Sequence, residues 1–410
     1  MIDFSRFVLD NGLRVLVQED FSTPIVAINV LYDVGSKDES PELTGLAHLF
    51  EHLMFGGSKN IKDFDTPIQQ AGGECNAFTN SDITNFYITL PAENIEIAFW
   101  LESDRMKSLS FSKKSLKTQQ KVVIEEFKET CLNEPYGDMW HHMSAMAYKN
   151  HPYRWPTIGL EVDHITKVTI EDVKSFFYQH YCPNNAIMVV AGPVTQQQVA
   201  TLCNKWFGDI QPGAVPVRNF QEESKTTEER KVIKGAVPSD AIYMAFNMPD
   251  RNHADYYVYD LISDVLSNGR SARLYQKLVK DNQFFSYIDA YLYGSLEPGI
   301  FIVEGRLHDG ISLEMAEAAV WLELEKLKET PIELVELQKL QNQIESALVF
   351  SETGVQNKAT NLAYFELIGD ANLINTEAQL YQKVTIQDIQ RVANTLFRKE
   401  NASVLTYLKQ

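Results

Sequence analysis

The sequence predicts an α+β protein built from two copies of one unit, and three observations lead to that prediction. The chain has 410 residues, more than a single hydrophobic core usually serves. Residues 167–173 read KVTIEDV, and 216 positions later residues 383–389 read KVTIQDI. The same offset relates NNAIMVV at 184–190 to ENASVLT at 400–406. A repeated offset of this kind indicates an internal duplication.

The predicted elements mix strands and helices. FVLDNGLRVLVQED predicts a hairpin that turns at Asn11-Gly12, and IVAINVLYDVGS predicts a further strand. A helix should begin near Thr44, because apolar residues then recur every three to four positions, and it should end at Gly56-Gly57. GGECNAFTNSDITNFYITLP is strand-like, and helical stretches follow from about residue 93 to residue 149.

A change in composition sets the predicted domain boundaries. QPGAVPVRNFQEESKTTEERK, residues 211–231, combines prolines and dense charge with few large apolar side chains, which is typical of a linker. We therefore expect an N-terminal domain at 1–212, a linker at 213–231 and a homologous C-terminal domain at 232–410.

Composition excludes several classes of function. The formal net charge of −18 disfavours a nucleic-acid partner, and no apolar run is long enough to span a membrane. The four cysteines lack CxxC spacing and are expected to be reduced. The N-terminus has no signal-peptide pattern, which favours a cytoplasmic protein, or a periplasmic one if the chain has been trimmed.

LAHLFEHLMFGG at 46–57 contains the most informative motif. His48 and His52 are four residues apart, so on a helix both imidazoles can reach one ion. Glu51 lies between them and can serve as the general base for a water molecule at that ion. This HxxEH spacing inverts the HExxH motif of other zinc proteases. The alternative is two histidines on an ordinary helix.

A catalytic zinc site requires a third protein ligand. KVVIEEFKETCLNEP supplies Glu125, Glu126 and Glu129, and Glu126 and Glu129 share a predicted helical face with Val122. Helical periodicity alone does not choose among the three glutamates.

These segments together resemble the pitrilysin/insulinase metallopeptidases, and in particular half-length bacterial members similar to the mitochondrial processing peptidase. GLAHLFEHLMFGGS is similar to the zinc helix of the family, and VVIEEF is similar to the segment that supplies the third ligand. The resemblance implies one Zn²⁺ per chain, bound by His48, His52 and Glu126, with Glu51 as general base and Glu129 as the fallback ligand. It also implies two α/β-sandwich domains, each an antiparallel-rich sheet covered by helices.

Only one of the two predicted copies carries the motif. AHLFEHLMFGG aligns with VYDLISDVLSNG at an offset near 212, which sets Asp260 opposite His48, Ser263 opposite Glu51 and Asp264 opposite His52. The C-terminal domain is therefore expected to lack zinc.

The resemblance also implies how a peptide substrate is bound. GGECNAFTNSDITNFY is similar to the strand with which family members pair their substrates, and the positions carried over are Asn76, Ala77 and Phe78. An edge strand offers unpaired backbone groups to an extended peptide. The alternative is an ordinary strand within the sheet.

One family feature is missing from this chain. Many members carry an arginine and, seven residues later, a tyrosine that helps to hold the substrate, but Val279 and Ser286 occupy those positions here. Tyr287 follows one place late, and by strand alternation we expect it to point elsewhere. Arg273 is expected to pack or form a salt bridge.

The sequence thus predicts a zinc endopeptidase that acts on extended peptides inside a chamber formed by dimerisation. The partner is expected to be a homologous zinc-free subunit with the arginine–tyrosine pair, or else a second copy of this chain. The alternative function is a non-catalytic scaffold subunit of the same fold.

Overall fold

A computed structural model describes residues 1–221, 223 and 225–410, which form two sheets covered by helices. The first sheet has the order β1-β2-β6-β3-β5-β4. Its strands are β1 (Ser5–Val8), β2 (Arg14–Glu19), β3 (Ile25–Tyr32), β4 (Glu74–Thr79), β5 (Thr84–Pro91) and β6 (Ala186–Gly192). The second has the order β7-β11-β8-β10-β9. Its strands are β7 (Glu229–Gly235), β8 (Ala241–Asn247), β9 (Phe285–Tyr293), β10 (Ile300–Leu307) and β11 (Ala402–Lys409).

The helices lie between these strands along the chain, some singly and some in runs of several. In the first half they are α1 (Leu46–Phe55), α2 (Asp65–Gln70), α3 (Ile95–Lys107), α4 (Lys113–Phe127), α5 (Met139–Ala147), α6 (Val162–Lys167), α7 (Ile170–His180) and α8 (Gln196–Phe207). In the second half they are α9 (Tyr256–Ser267), α10 (Leu313–Glu329), α11 (Leu334–Ser351), α12 (Val355–Leu367), α13 (Leu373–Gln382) and α14 (Ile386–Leu396). In the described chain, no helix is both long enough and apolar enough to cross a membrane.

The two sheets share one topology, which confirms the predicted α+β fold and its duplication. When the edge strand β1 is left out, the first sheet has the same strand order as the second. In each sheet the strand that comes first along the chain then pairs in parallel with the strand that comes last, β2 with β6 and β7 with β11. The other pairs are antiparallel. The repeated KVTI segments begin equivalent helices. Thr169 and Asp172 form a capping box at the start of α7, and Thr385 and Asp388 do the same for α14.

Contacts divide the chain into two compact units, and each is assembled from three stretches. The first unit contains residues 1–128, 155–220 and 349–376, and the second contains 129–154, 221–348 and 377–410. In the first unit α12, from the C-terminal half, packs on β3 and β6. In the second unit α5, from the N-terminal half, packs on β8 and β11.

The predicted linker, residues 213–231, has no helix or strand in its described residues before β7 begins at Glu229. The linear domain boundaries at 212 and 232 stay a prediction.

Local sequence explains the elements around the candidate site. Gly12 turns the β1–β2 hairpin with φ of +87°, as the Asn-Gly pair predicts. Gly45, at the N-cap of α1, has the same positive φ, and a Cβ atom there would lie 2.7 Å from the carbonyl oxygen of Ile158. Only glycine therefore fits at the start of α1 without a backbone shift.

Candidate metal centre

Helix α1 presents the two motif histidines from the first unit. Its buried positions pack into the core and leave the opposite face partly accessible; they are Leu46, Ala47, Leu49, Phe50, Leu53 and Met54. His48 and His52 lie on that accessible face, and their Nε2 atoms are 3.3 Å apart. The i, i+4 spacing thus brings two imidazole nitrogens to one point, as the motif predicts.

Buried Glu39 fixes the start of α1. Its Oε2 accepts a hydrogen bond from the backbone N–H of Gly45 at 3.0 Å, and its Oε1 accepts one from Ala47 at 2.7 Å. Both N–H groups belong to the first turn, where no carbonyl is available to them. Burial raises the pKa of Glu39 well above its ordinary value, and the two backbone donors oppose that shift. The sequence patterns do not single out Glu39, although it precedes the predicted helix as an N-terminal acid would.

Glu126 reaches the same point from α4. Its carboxylate oxygens lie 3.8 Å from Nε2 of His48 and 3.6 Å from Nε2 of His52. In the part of the chain that the structure describes, these three residues are the one group of histidine, cysteine or acidic side chains whose ligand atoms could share an ion, all within 4.8 Å. That they bind a metal stays a prediction.

The other two glutamates have different surroundings. Glu125 pairs with Lys128 at 2.7 Å on the exposed side of the helix. Helix α4 ends at Phe127 and a π-helical turn covers Lys128–Asn133, so regular α-helical periodicity does not extend to Glu129.

The donor set suits a divalent cation such as zinc. Burial, reinforced by the neighbouring His52, lowers the pKa of His48 to about 4, and burial also lowers the pKa of His52 against the opposing effect of Glu126. Both rings are therefore neutral near pH 7, the form in which imidazole binds zinc. Two neutral nitrogens and one carboxylate match the His₂Glu ligand set of catalytic zinc sites.

Glu51 lies one residue before His52 and is held by a hydroxyl group. Its Oε2 accepts a hydrogen bond from Oγ1 of Thr79, at the end of β4, at 2.6 Å. Burial raises the pKa of Glu51, the Thr79 hydrogen bond opposes that rise, and the nearby charge of Glu126 adds to it. A carboxylate with a raised pKa is a stronger proton acceptor than one in water. The sequence patterns do not single out Thr79, although strand alternation places it on the same face of β4 as Ala77.

Strand β4 is the outermost strand of its sheet, with β5 on one side only. Asn76 and Phe78 are exposed, and the side chain of Ala77 points to the other, half-buried face. The backbone N–H of Ala77 donates to Oδ1 of Asn76 at 2.8 Å and is therefore turned away from β5. The strand thus has an open edge at the three residues expected to pair with substrate.

The equivalent helix of the second unit carries no metal-binding group in its described residues. Oδ2 of Asp260 accepts a hydrogen bond from the Tyr381 hydroxyl at 2.5 Å, and Asp264 accepts one from Asn268 at 2.9 Å. Burial, with the nearby charge of Asp260, raises the pKa of Asp264 to about 6.

The expectation that Tyr287 points to the opposite side of the strand from Ser286 is wrong. The pairing of β9 with β10 shifts by one residue between Arg306 and Leu307, which is a β-bulge at Ser286. Because of the bulge, Phe285 and Ile288 both face the core, and Ser286 and Tyr287 are both exposed. Simple alternation across this stretch fails because the bulge adds one residue to a single strand.

The remaining residues of this region form local contacts. The Ser286 hydroxyl donates to the carbonyl of Arg306 at 3.2 Å, and Val279 packs against the hydrophobic core. Arg273 forms a two-pronged ion pair with Glu336, at 3.0 and 2.8 Å.

Comparisons with known proteins agree with this arrangement. Residues 14–160, which hold the three candidate ligands, match the family described as insulinase (peptidase family M16). Residues 167–344 match the family described as peptidase M16 inactive domain.

Relatives resemble the chain over almost its whole length. It is 29% identical to zinc protease PqqE of Helicobacter pylori over 98% of this chain and 91% of that one. It is 23% identical to the uncharacterized zinc protease YmxG of Bacillus subtilis, over 98% and 97%. The crystal structure of a protease from Helicobacter pylori superposes with a TM-score of 0.94, covers 99% of this chain and 100% of that one, and is 27% identical. The chain therefore belongs to the insulinase, or M16, family of peptidases.

Proposed function

We propose that this chain is a zinc-dependent endopeptidase that hydrolyses extended, unfolded peptides. The observation that carries the proposal is the convergence of His48, His52 and Glu126, with Glu51 one residue from a ligand. The relatives named zinc proteases support it. The open edge of β4 supports an extended substrate, because backbone pairing along an edge strand depends little on side-chain identity.

His48, His52 and Glu126 would hold the zinc ion. When bound, zinc would polarise the scissile carbonyl and make a nearby water molecule more acidic. Glu51 would take the proton from the attacking water and pass it to the departing amine nitrogen. Strand β4 would hold the peptide backbone extended, and Asn76, Ala77 and Phe78 would contact it. Glu39, by fixing the first turn of α1, would keep both histidines in register.

We further propose that the chain is the zinc-bearing subunit of a dimer whose halves enclose the substrate. Val279 offers no guanidinium and Ser286 no phenol at the positions where many relatives carry them, and the exposed Tyr287 beside Ser286 has no arginine seven residues before it. A homologous zinc-free partner with that pair would supply the donors that stabilise a developing oxyanion. A homodimer is the alternative assembly.

The test of the activity is metal analysis together with cleavage of an unstructured peptide. Wild type should contain one zinc per chain and should lose cleavage when zinc is chelated. Glu51→Gln should keep the zinc and lose cleavage by at least a hundredfold. Glu125→Gln, which alters the neighbouring salt-bridged glutamate, is the matched control and should cleave normally. A Glu51→Gln variant as active as wild type would contradict the general-base role.

The test of the assembly is copurification and mixing with a homologous zinc-free subunit. We expect the isolated chain to be slow and the mixture to be fast. A confirmed homodimer that turns over at rates typical of enzymes, about 1–1,000 per second, would contradict the need for a partner. A zinc-loaded chain inactive alone and in every mixture would favour the scaffold function.

A further inference from the structure

The carboxylate of Glu51 depends on one hydrogen bond. Within the described residues, the hydroxyl of Thr79, 2.6 Å from Oε2, is the only group that donates to it. A glutamate side chain has three rotatable bonds, and this hydrogen bond restricts the orientations that the carboxylate can adopt. Thr79 lies outside α1 and belongs to the edge strand β4.

The surroundings of Thr79 direct its proton to Glu51. Thr84, paired with Thr79 across the hairpin, is fully buried, and the two Oγ1 atoms are 3.5 Å apart. Thr84 donates its own proton to the carbonyl of Val34 at 3.0 Å and accepts one from Tyr181 at 3.2 Å. The much shorter contact from Thr79 is to Glu51, so its one proton is used there.

The alternating direction of backbone groups along β4 also places the N–H of Thr79 at the open edge of the strand. The N–H of Ala77 is turned away from β5, whereas the N–H of Asn80 donates to Ile83 across the hairpin. In an antiparallel ladder the backbone groups of successive residues alternate between the two sides. The backbone N–H of Thr79 therefore also faces the open edge, while its side chain reaches Glu51.

We propose that Thr79 is a positioning residue that couples the open edge of β4 to the carboxylate of Glu51. A peptide that pairs with β4 would immobilise the backbone of Thr79, and the Thr79 hydroxyl would transmit that order to Glu51. The inference rests on the proposed function. It explains why the hydrogen bond to the proton acceptor comes from the strand that would pair with substrate and not from helix α1.

The first test compares three threonine variants in the zinc-loaded enzyme. Thr79→Val keeps the shape but removes the hydroxyl, and it should lower kcat by roughly ten- to a hundredfold with KM changed less than threefold. Thr79→Ser restores the donor and should recover most of kcat. Thr89→Val is the matched control, because Thr89 also donates to a glutamate of β4, Glu74, at 3.3 Å and does not touch Glu51.

The second test uses metal-free protein, so that activity is not the readout. Thr79→Val and Glu51→Ala remove the same hydrogen bond, so the loss of Tm in the double variant should be smaller than the sum of the single losses, by about 2 °C. Thr89→Val combined with Glu51→Ala should be additive.

Different results overturn the two proposals. A wild type that shows no zinc-dependent cleavage, either alone or mixed with a homologous zinc-free subunit, overturns the proposed function, whatever Thr79 does. A wild type that requires zinc and Glu51, together with a Thr79→Val variant of unchanged kcat or an additive Thr79–Glu51 pair, overturns the positioning role alone. Loss of kcat that Thr79→Ser does not recover also overturns it.

Discussion

The Nε2 atoms of His48 and His52 lie 3.3 Å apart, with oxygens of Glu126 at 3.8 Å from the first and 3.6 Å from the second. Because burial lowers both histidine pKa values, neither ring carries a positive charge that would pair with the carboxylate at pH 7.5. We predict that zinc stabilises the folded chain. At a free zinc concentration of 100 to 1,000 times Kd, the free energy of unfolding should rise by about 3–4 kcal/mol, measured by urea unfolding with zinc and with chelator.

Two histidine variants separate specific from incidental zinc binding. His52→Asn should abolish the stabilisation because it removes a ligand. His142→Asn should keep it, because His142 pairs with Asp138 at 3.0 Å on α5. Equal stabilisation of both variants by zinc would contradict the assignment of His52.

The second prediction concerns the buried cap of α1. Glu39→Gln places an amide N–H₂ against one of the two N–H groups that the carboxylate accepts from Gly45 and Ala47. One buried donor then loses its partner, so we expect the free energy of unfolding to fall by about 1–3 kcal/mol. Urea unfolding of the metal-free protein measures this change. Exposed Glu42→Gln is the control, and an equal loss in both variants would show that the cap contributes little.

The third prediction is a pH dependence that arises in the second unit. The pKa of Asp264 is about 6 in the folded chain, above its ordinary 3.8, so the folded state holds this proton more tightly than the unfolded state. The resulting stabilisation is complete below about pH 4 and is lost as the pH rises through 6.

The Asp264→Asn variant should not lose this stability as the pH rises, because an amide side chain does not ionise. The variant should be more stable than wild type at pH 7.5, on the order of 1 kcal/mol once solvent screening is allowed for, and the difference should vanish near pH 4. Urea unfolding of both proteins at several pH values measures it. A difference that does not change with pH would mean that Asp264 does not titrate in this range.

Sequence patterns predicted those parts of the molecule in which neighbouring residues decide the geometry. The i, i+4 spacing of His48 and His52 predicted that their nitrogens meet, because an α-helix places residues four apart on the same face, one turn from each other. The KVTI repeat predicted equivalent helices because a capping box is a local hydrogen-bond pattern. The duplicated topology followed from the same repeat.

What the sequence did not predict depends on local irregularity or on tertiary contact. The π-helical turn after Phe127 breaks the periodicity that made Glu129 equivalent to Glu126, and the β-bulge at Ser286 turns Tyr287 to a face that alternation excludes. The packing of α12 on the first sheet was also hidden, because an apolar stripe shows which face is buried and not which sheet covers it. Thr79 was missed because its role comes from a partner 28 residues away.

The last prediction tests whether β4 pairs with peptide through its open edge. Ala77→Pro removes the N–H that now donates to Asn76, and the strand loses no bond to β5 because that N–H points away from it. The zinc-loaded Glu51→Gln protein is expected to bind peptide without cleaving it, so that Kd can be measured directly. We expect Ala77→Pro in that background to weaken peptide binding at least tenfold, since it removes one intermolecular hydrogen bond and places a ring against the incoming strand.

The second sheet supplies a matched control for this proline. Ala290 lies on the outermost strand β9, and its N–H donates to Oδ1 of Asp289 at 2.8 Å, as that of Ala77 does to Asn76. Because Ala290 is buried in the core of the second unit, Ala290→Pro should cost at least as much stability as Ala77→Pro, and it should leave the Kd for peptide unchanged. Equal weakening by both prolines would mean that binding falls through general destabilisation, and unchanged binding in Ala77→Pro would mean that the peptide docks elsewhere than on β4.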